Sequence, residues 1–117
     1  MIDNPLKIQY YPSGNYGYVY DYFEKLIKTK PQATARLMLD LKILGAEGLQ
    51  SKQISIRSLG SGLWELKRRF EGIQYRIFFC IHQGNVWLLH SIEKKSSKTP
   101  ISDMAIARKR MKEVVLK

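Results

Sequence analysis

Two periods divide the chain, and the change between them falls near Ile54. Before it, Leu6-Lys7-Ile8-Gln9-Tyr10 alternates and predicts a first strand, which Pro12-Ser13-Gly14 breaks. Val19, Tyr22, Phe23, Leu26 and Ile27 then recur at i, i+3, i+4, i+7 and i+8. That spacing predicts an amphipathic helix, closed by Thr29-Lys30 before Pro31. Pro31 suits the first turn of a second helix, with Thr34, Leu37, Met38, Leu41 and Leu44 as its inner stripe. Gly45 and Gly48 end it, so the first half predicts a helical hairpin.

After Ile54 the period is two. Ile54 and Ile56 suggest a strand leading into a turn at Leu59-Gly60-Ser61-Gly62. Leu63–Phe70, Tyr75–His82 and Val86–Ile92 follow as strands, separated by Glu71-Gly72 and Gln83-Gly84-Asn85. Turns this short imply an antiparallel meander. Ser102 is expected to cap a last helix with Met104, Ala107, Met111 and Val114 on one face. The predicted order is β-α-α-β-β-β-α, an α+β fold with helices against a curved, small antiparallel sheet.

A chain of 117 residues suits one domain, 1–117, and 44% apolar content with two tryptophans excludes a disordered one. No apolar run approaches the roughly 20 residues needed to span a bilayer, and no membrane role is expected. The opening MIDNPLKIQYYPSG lacks the basic and apolar regions of a signal peptide, and a lone Cys80 fits a reducing compartment. A cytoplasmic protein is expected. Charge is uneven: residues 1–56 hold seven Lys/Arg against five Asp/Glu, residues 57–117 thirteen against five. A skew of this kind suits a polyanion or an acidic protein partner.

Alternation places Trp64, Leu66, Arg68 and Phe70 on one face and Glu65, Lys67 and Arg69 on the other. The first set is the better core face; the second is open or covered only by the last helix. Arg76 interrupts an apolar run and must have a partner, either Glu65 or a ligand phosphate, and one residue can serve both. Lys94, Lys95 and Lys98 put three cations in five positions just beyond a strand. Alone they would read as solvated charge; after strands carrying Lys67, Arg69 and Arg76 they read as the rim of an anion site. His90 shares a face with Leu88 and Ile92, which suits a hydrogen-bonded core histidine or an acid–base group at the site edge. Zinc and magnesium ligand spacings are missing, as are a phosphate-cradling glycine loop and a Ser/Cys nucleophile motif. Catalysis would run on cations and one histidine.

Several of these motifs resemble one family. Gly62-Leu63-Trp64-Glu65-Leu66-Lys67 looks like the G-L-x-E-L-R motif of the RelE/HigB superfamily of bacterial toxins, and Tyr75-Arg76-Ile77 like its Y-R-I/V strand. Leu89-His90 followed by Lys94-Lys95-Ser96-Ser97-Lys98-Thr99-Pro100 is similar to the L-H-x-F-x-K-K-T-x-K-T-P signature of the HigB-like, phage-derived branch. Ala105–Arg110 resembles that branch's closing helix. Lys67 stands where arginine is usual, so a point charge replaces a bidentate fork. Ser97 and Ile92 replace a common glutamine and the usual phenylalanine.

The resemblance implies a RelE-like fold and the toxin of a type II toxin–antitoxin system. It implies an endoribonuclease that cleaves mRNA, on the ribosome in many members. No metal or other cofactor takes part: the RNA's own 2′-hydroxyl attacks the phosphate. Arg76, Lys67, Lys95 and His90 are then the catalytic candidates, and Arg68, Arg69, Lys94 and Lys98 the RNA-binding ones. The expected partner is an antitoxin carrying a helix-turn-helix DNA-binding domain. A ParE-type topoisomerase poison and a noncatalytic RNA-binding domain are the alternatives, because one fold serves several functions.

Overall fold

The computed structural model describes residues 5–94 and 100–116. Strand β1 (Lys7–Tyr10) leads into helices α1 (Tyr18–Thr29) and α2 (Pro31–Glu47) and a short 3-10 turn (Gly48–Gln50). Strands β2 (Ser55–Gly60), β3 (Leu63–Phe70), β4 (Ile73–His82) and β5 (Asn85–Lys94) follow, and α3 (Ile101–Val115) completes the described order.

The helical hairpin forms where the periodicity predicts it. Val19, Phe23 and Leu26 of α1 and Leu37, Leu41 and Leu44 of α2 are buried together. Met38 departs from the expected stripe: it is exposed, and Ala33 and Asp40 are buried instead. The α3 stripe holds at Ala107 and Val114, which are buried, but Pro100 occupies the position before the helix, and among the described residues no side chain caps it. Ser102 lies inside the helix.

The sheet is larger than expected and mixed, with order β1-β5-β4-β3-β2. The strand suggested by Ile54 and Ile56 forms over Ser55–Gly60, pairs with β3 and takes in Leu59 and Gly60 of the predicted turn. At the opposite side β1 runs parallel to β5, Lys7 facing Asn85 and Tyr10 facing Leu88. A five-residue alternation carries no information about which distant strand it will join, so this pairing was not legible in the sequence. The meander itself is antiparallel. Its three turns, Ser61-Gly62, Glu71-Gly72 and Gln83-Gly84, all hold both residues at positive φ, the pattern of a type I′ hairpin. Glycine at each second position adopts that conformation without a Cβ penalty.

Helices cover both faces of the sheet. Leu66, Tyr75, Ile77, Phe79, Val86 and Leu88 face α1 and α2 and form the main core. Leu63, Phe78, Cys80 and Leu89 face the other way, against Ala107 and Val114 of α3. A bulge in the β4–β5 ladder, where Phe78 pairs with His90 but Phe79 with Leu88, leaves Leu89 as the extra residue. Leu88 and Leu89 are therefore both buried, in opposite cores. No helix among the described residues is long and apolar enough to cross a membrane.

Candidate nucleic-acid interface

Residues directly opposite across a ladder share a face, so the register sorts the cations. Ser55, Lys67, Arg76 and Ile92 make one row across β2, β3, β4 and β5. Arg69, Gln74 and Lys94 make the next. Arg57, Glu65, Phe78 and His90 form the row on the other side. All three lie on the α3 face. The apolar footprint of α3 rests on Leu63, Phe78, Cys80 and Leu89 and reaches Ile92, at the β5 end of the first cationic row.

Within these rows the side chains have different surroundings. Arg69 is exposed, while Lys67, Gln74 and Lys94 are half-buried. Arg76 is 0% exposed. One of its terminal nitrogens lies 3.2 Å from Glu65 Oε2, and the other donates to Gln74 Oε1 at 2.9 Å. Glu65 is also buried, and its second oxygen takes Arg57 Nε at 3.2 Å. A carboxylate thus sits between two guanidinium groups, which offsets the repulsion expected where Lys67 and Arg76 stand opposite each other. Of the two partners left open for Arg76, the structure supplies Glu65. In this conformation Arg76 presents no surface to a ligand.

Two further candidates also have protein partners. Arg68 points to the opposite face, as the alternation required, and grips Asp40 of α2 with a bidentate fork at 2.6 and 2.8 Å. Asp40 is buried, and its hydrogen bonds to Arg68 raise the guanidinium pKa above its ordinary value. Arg68, expected to bind RNA, has its Nε and one terminal donor on Asp40, which ties the helical hairpin to the sheet. His90 is corrected in its face. The bulge turns it away from Leu88, and it stacks on Phe78 with ring centroids 5.8 Å apart. Its Nε2 lies 2.8 Å from Asp103 Oδ1 on α3, and Arg110 approaches Nδ1 at 3.5 Å. Arg110 also donates to the Leu89 carbonyl at 2.8 Å and sits over the Tyr18 ring, 4.0 Å from its centroid. Both imidazole nitrogens are engaged in fastening α3.

Lys95 and Lys98 lie outside the described residues. Lys67 and Arg69 of β3 and Lys94 of β5 share one face of the sheet, with β4 between them. Sequence reasoning passed over Lys52 and Gln53, which with Ser55, Lys67 and Arg69 line an open hollow of about 400 Å³ beside the start of β2. No motif marks them, and Lys52 falls in the half of the chain whose charge is nearly balanced. An apolar hollow of about 320 Å³ lies elsewhere, between Pro31 and Phe70, Ile73 and Tyr75, with one cation and one anion, Lys30 and Glu71. Among the described residues no group of three or more His, Cys, Asp or Glu converges on a common point.

The model of the family described as "Phage derived protein Gp49-like (DUF891)" matches residues 22–112. The match runs from α1 into α3 and includes all three rows of the sheet face. That family is one of proposed type II toxins of the RelE/HigB type, which implies a cognate antitoxin. No curated protein and no solved structure matches the chain.

Proposed function

The chain belongs to the phage-derived Gp49-like family, and from that membership we infer that it is the toxin of a type II toxin–antitoxin pair, acting as an mRNA endoribonuclease on the translating ribosome. The observation that carries this reading is that Lys67, Arg69 and Lys94 share one face of the sheet and each keeps some exposure, above the buried Arg76–Glu65 pair. Ammonium and guanidinium groups on a rigid sheet suit a phosphate that gains charge in the transition state.

In the reaction the 2′-oxygen attacks the adjacent phosphorus and the bond to the 5′-oxygen breaks. The 2′-hydroxyl proton passes to a base, and the departing 5′-oxygen receives a proton. The products carry a 2′,3′-cyclic phosphate and a 5′-hydroxyl. Lys67, at the accessible end of its row, is the cation that meets the phosphate, and Lys95 is its candidate companion. Arg69, Lys94 and Lys98 bind neighbouring phosphates. Arg76 works from beneath, holding Glu65 and Gln74 in place, and is a positioning residue. His90 holds α3 beside the site. The antitoxin, a helix-turn-helix DNA-binding protein, brings Asp and Glu to this face, and charge complementarity speeds its association.

Translating ribosomes incubated with the purified protein provide the test, with mRNA 5′ ends mapped afterwards. New 5′-hydroxyl ends that vanish with Lys67→Ala support the reading. Uncut mRNA with inhibited DNA supercoiling would move the family member to topoisomerase poisoning. Uncut mRNA with RNA still bound would leave a noncatalytic binding domain.

A further inference from the structure

Strand β2 begins at Ser55, opposite Lys67, so among the described residues Arg68, Arg69 and Phe70 of β3 run on paired to β4 alone. The space beside β3 before β2 begins is an open hollow of about 400 Å³ lined by Lys52, Gln53, Ile54, Ser55, Lys67 and Arg69. Arg68 also lines it, with its fork turned to Asp40. Lys52 and Arg69 are exposed and Lys67 is half-buried, and among the described residues no acidic one lines the hollow. Amide and hydroxyl groups from Gln53 and Ser55 stand among the cations.

We propose that this hollow is a binding groove for the sugar–phosphate backbone of single-stranded RNA, entered from the β2 side and running toward Lys67. The inference rests on the RNA reading above and adds a contact outside the rows. Charge decides the occupant. Cations from two separate segments converge on one concave surface, and polar groups lie between them to meet ribose or phosphate oxygens. An apolar peptide would leave these groups unpaired, which disfavours it. Lys52 supplies the outer end of the groove and Arg69 the fork that can grip one phosphate with two parallel hydrogen bonds.

Binding of a labelled 12-nucleotide RNA to the full-length protein, followed by fluorescence anisotropy across a salt series, reads the contact directly. Each phosphate contact on a single strand contributes about 0.7 to the slope of log K against log salt. Lys52→Gln should lower the slope by about that amount, and Lys52→Arg should restore it. Lys28→Gln, at an exposed position on α1, should leave it unchanged. Equal loss with Lys28→Gln would reduce the effect to net charge and overturn the groove, as would an unchanged slope with Lys52→Gln. If Lys52→Gln weakens an oligo-glutamate peptide but not RNA, the surface belongs to an acidic protein and the proposal fails. Wild-type protein that binds the oligonucleotide with this Lys52 dependence but never cuts mRNA would sink the nuclease reading while keeping the groove. Cutting without Lys52 dependence would do the reverse.

Discussion

Arg76 and Glu65 lie 3.2 Å apart at 0% and 2% exposure, and the same carboxylate accepts Arg57 on its other oxygen. The pair links β3 to β4 beneath the cationic rows, so loss of one member strands the other away from water. Arg76→Ala should destabilise the fold by about 3–5 kcal/mol, read as a lower denaturant midpoint. A joint Glu65→Leu, Arg76→Met exchange should recover most of that loss, because no charge is left buried. If the double variant folds and still arrests growth, Arg76 has no essential part in the chemistry; a folded but inactive double variant supports its positioning role.

Arg68 should behave as a structural residue. Its fork on Asp40 joins α2 to β3, and Asp40 has little other access to solvent. Arg68→Ala should lower stability by about 2 kcal/mol, with the salt slope of RNA binding unchanged. A slope reduced as far as in Arg69→Gln would place Arg68 on the RNA after all.

His90 and Asp103 fasten α3 to β5. Asp103→Ala should loosen the first turns of α3, and amide exchange over residues 101–107 should accelerate several-fold while β3 and β4 stay protected. Unchanged exchange there would mean that Ala107 and Val114 hold the helix without this link.

Cys80 lies in the core between the sheet and α3, and burial pushes its thiol up from 9.0 to about 11. The folded state therefore keeps the proton longer than the unfolded chain. That contribution is complete below pH 9 and is lost as pH rises toward 11. The raised pKa values of Tyr10, Tyr11 and Tyr22, led in each case by desolvation, act in the same direction. Stability should fall across this window, less steeply in Cys80→Ala. Native protein at pH 8 should resist a thiol reagent that labels it at once in denaturant, and rapid native labelling would contradict the buried position.

Gly17 precedes α1 where the chain passes very close to β1. A Cβ there would lie 1.8 Å from the Tyr11 carbonyl oxygen and 2.8 Å from the Pro12 ring. Backbone has to move to admit it, so Gly17→Ala should destabilise by about 3 kcal/mol, measurable as a lower melting temperature. A variant as stable as the wild type would show that the loop between Tyr11 and Tyr18 can yield.

Elements with their own period were legible in the sequence. Leu63–Phe70 alternates so regularly that the strand and both its faces follow from it, and the α1 stripe holds at Val19, Tyr22, Phe23 and Leu26, though Ile27 is exposed. Three X-Gly dipeptides placed the hairpins, because only those turns match the twist of the flanking strands. The grouping of Lys67, Arg69 and Lys94 followed from these same local rules. What tertiary structure decided were relations between distant segments. A bulge at Leu89 reversed the face of His90, and a ladder defect has no composition that marks it. The choice of Asp40 for Arg68 and of Glu65 for Arg76 depended on which carboxylate the fold brought within reach. The parallel pairing of β1 with β5, and the hollow that brings Lys52 beside Arg69, arise from where chain segments end in space. Periodicity records which way a side chain points; it does not record what waits there.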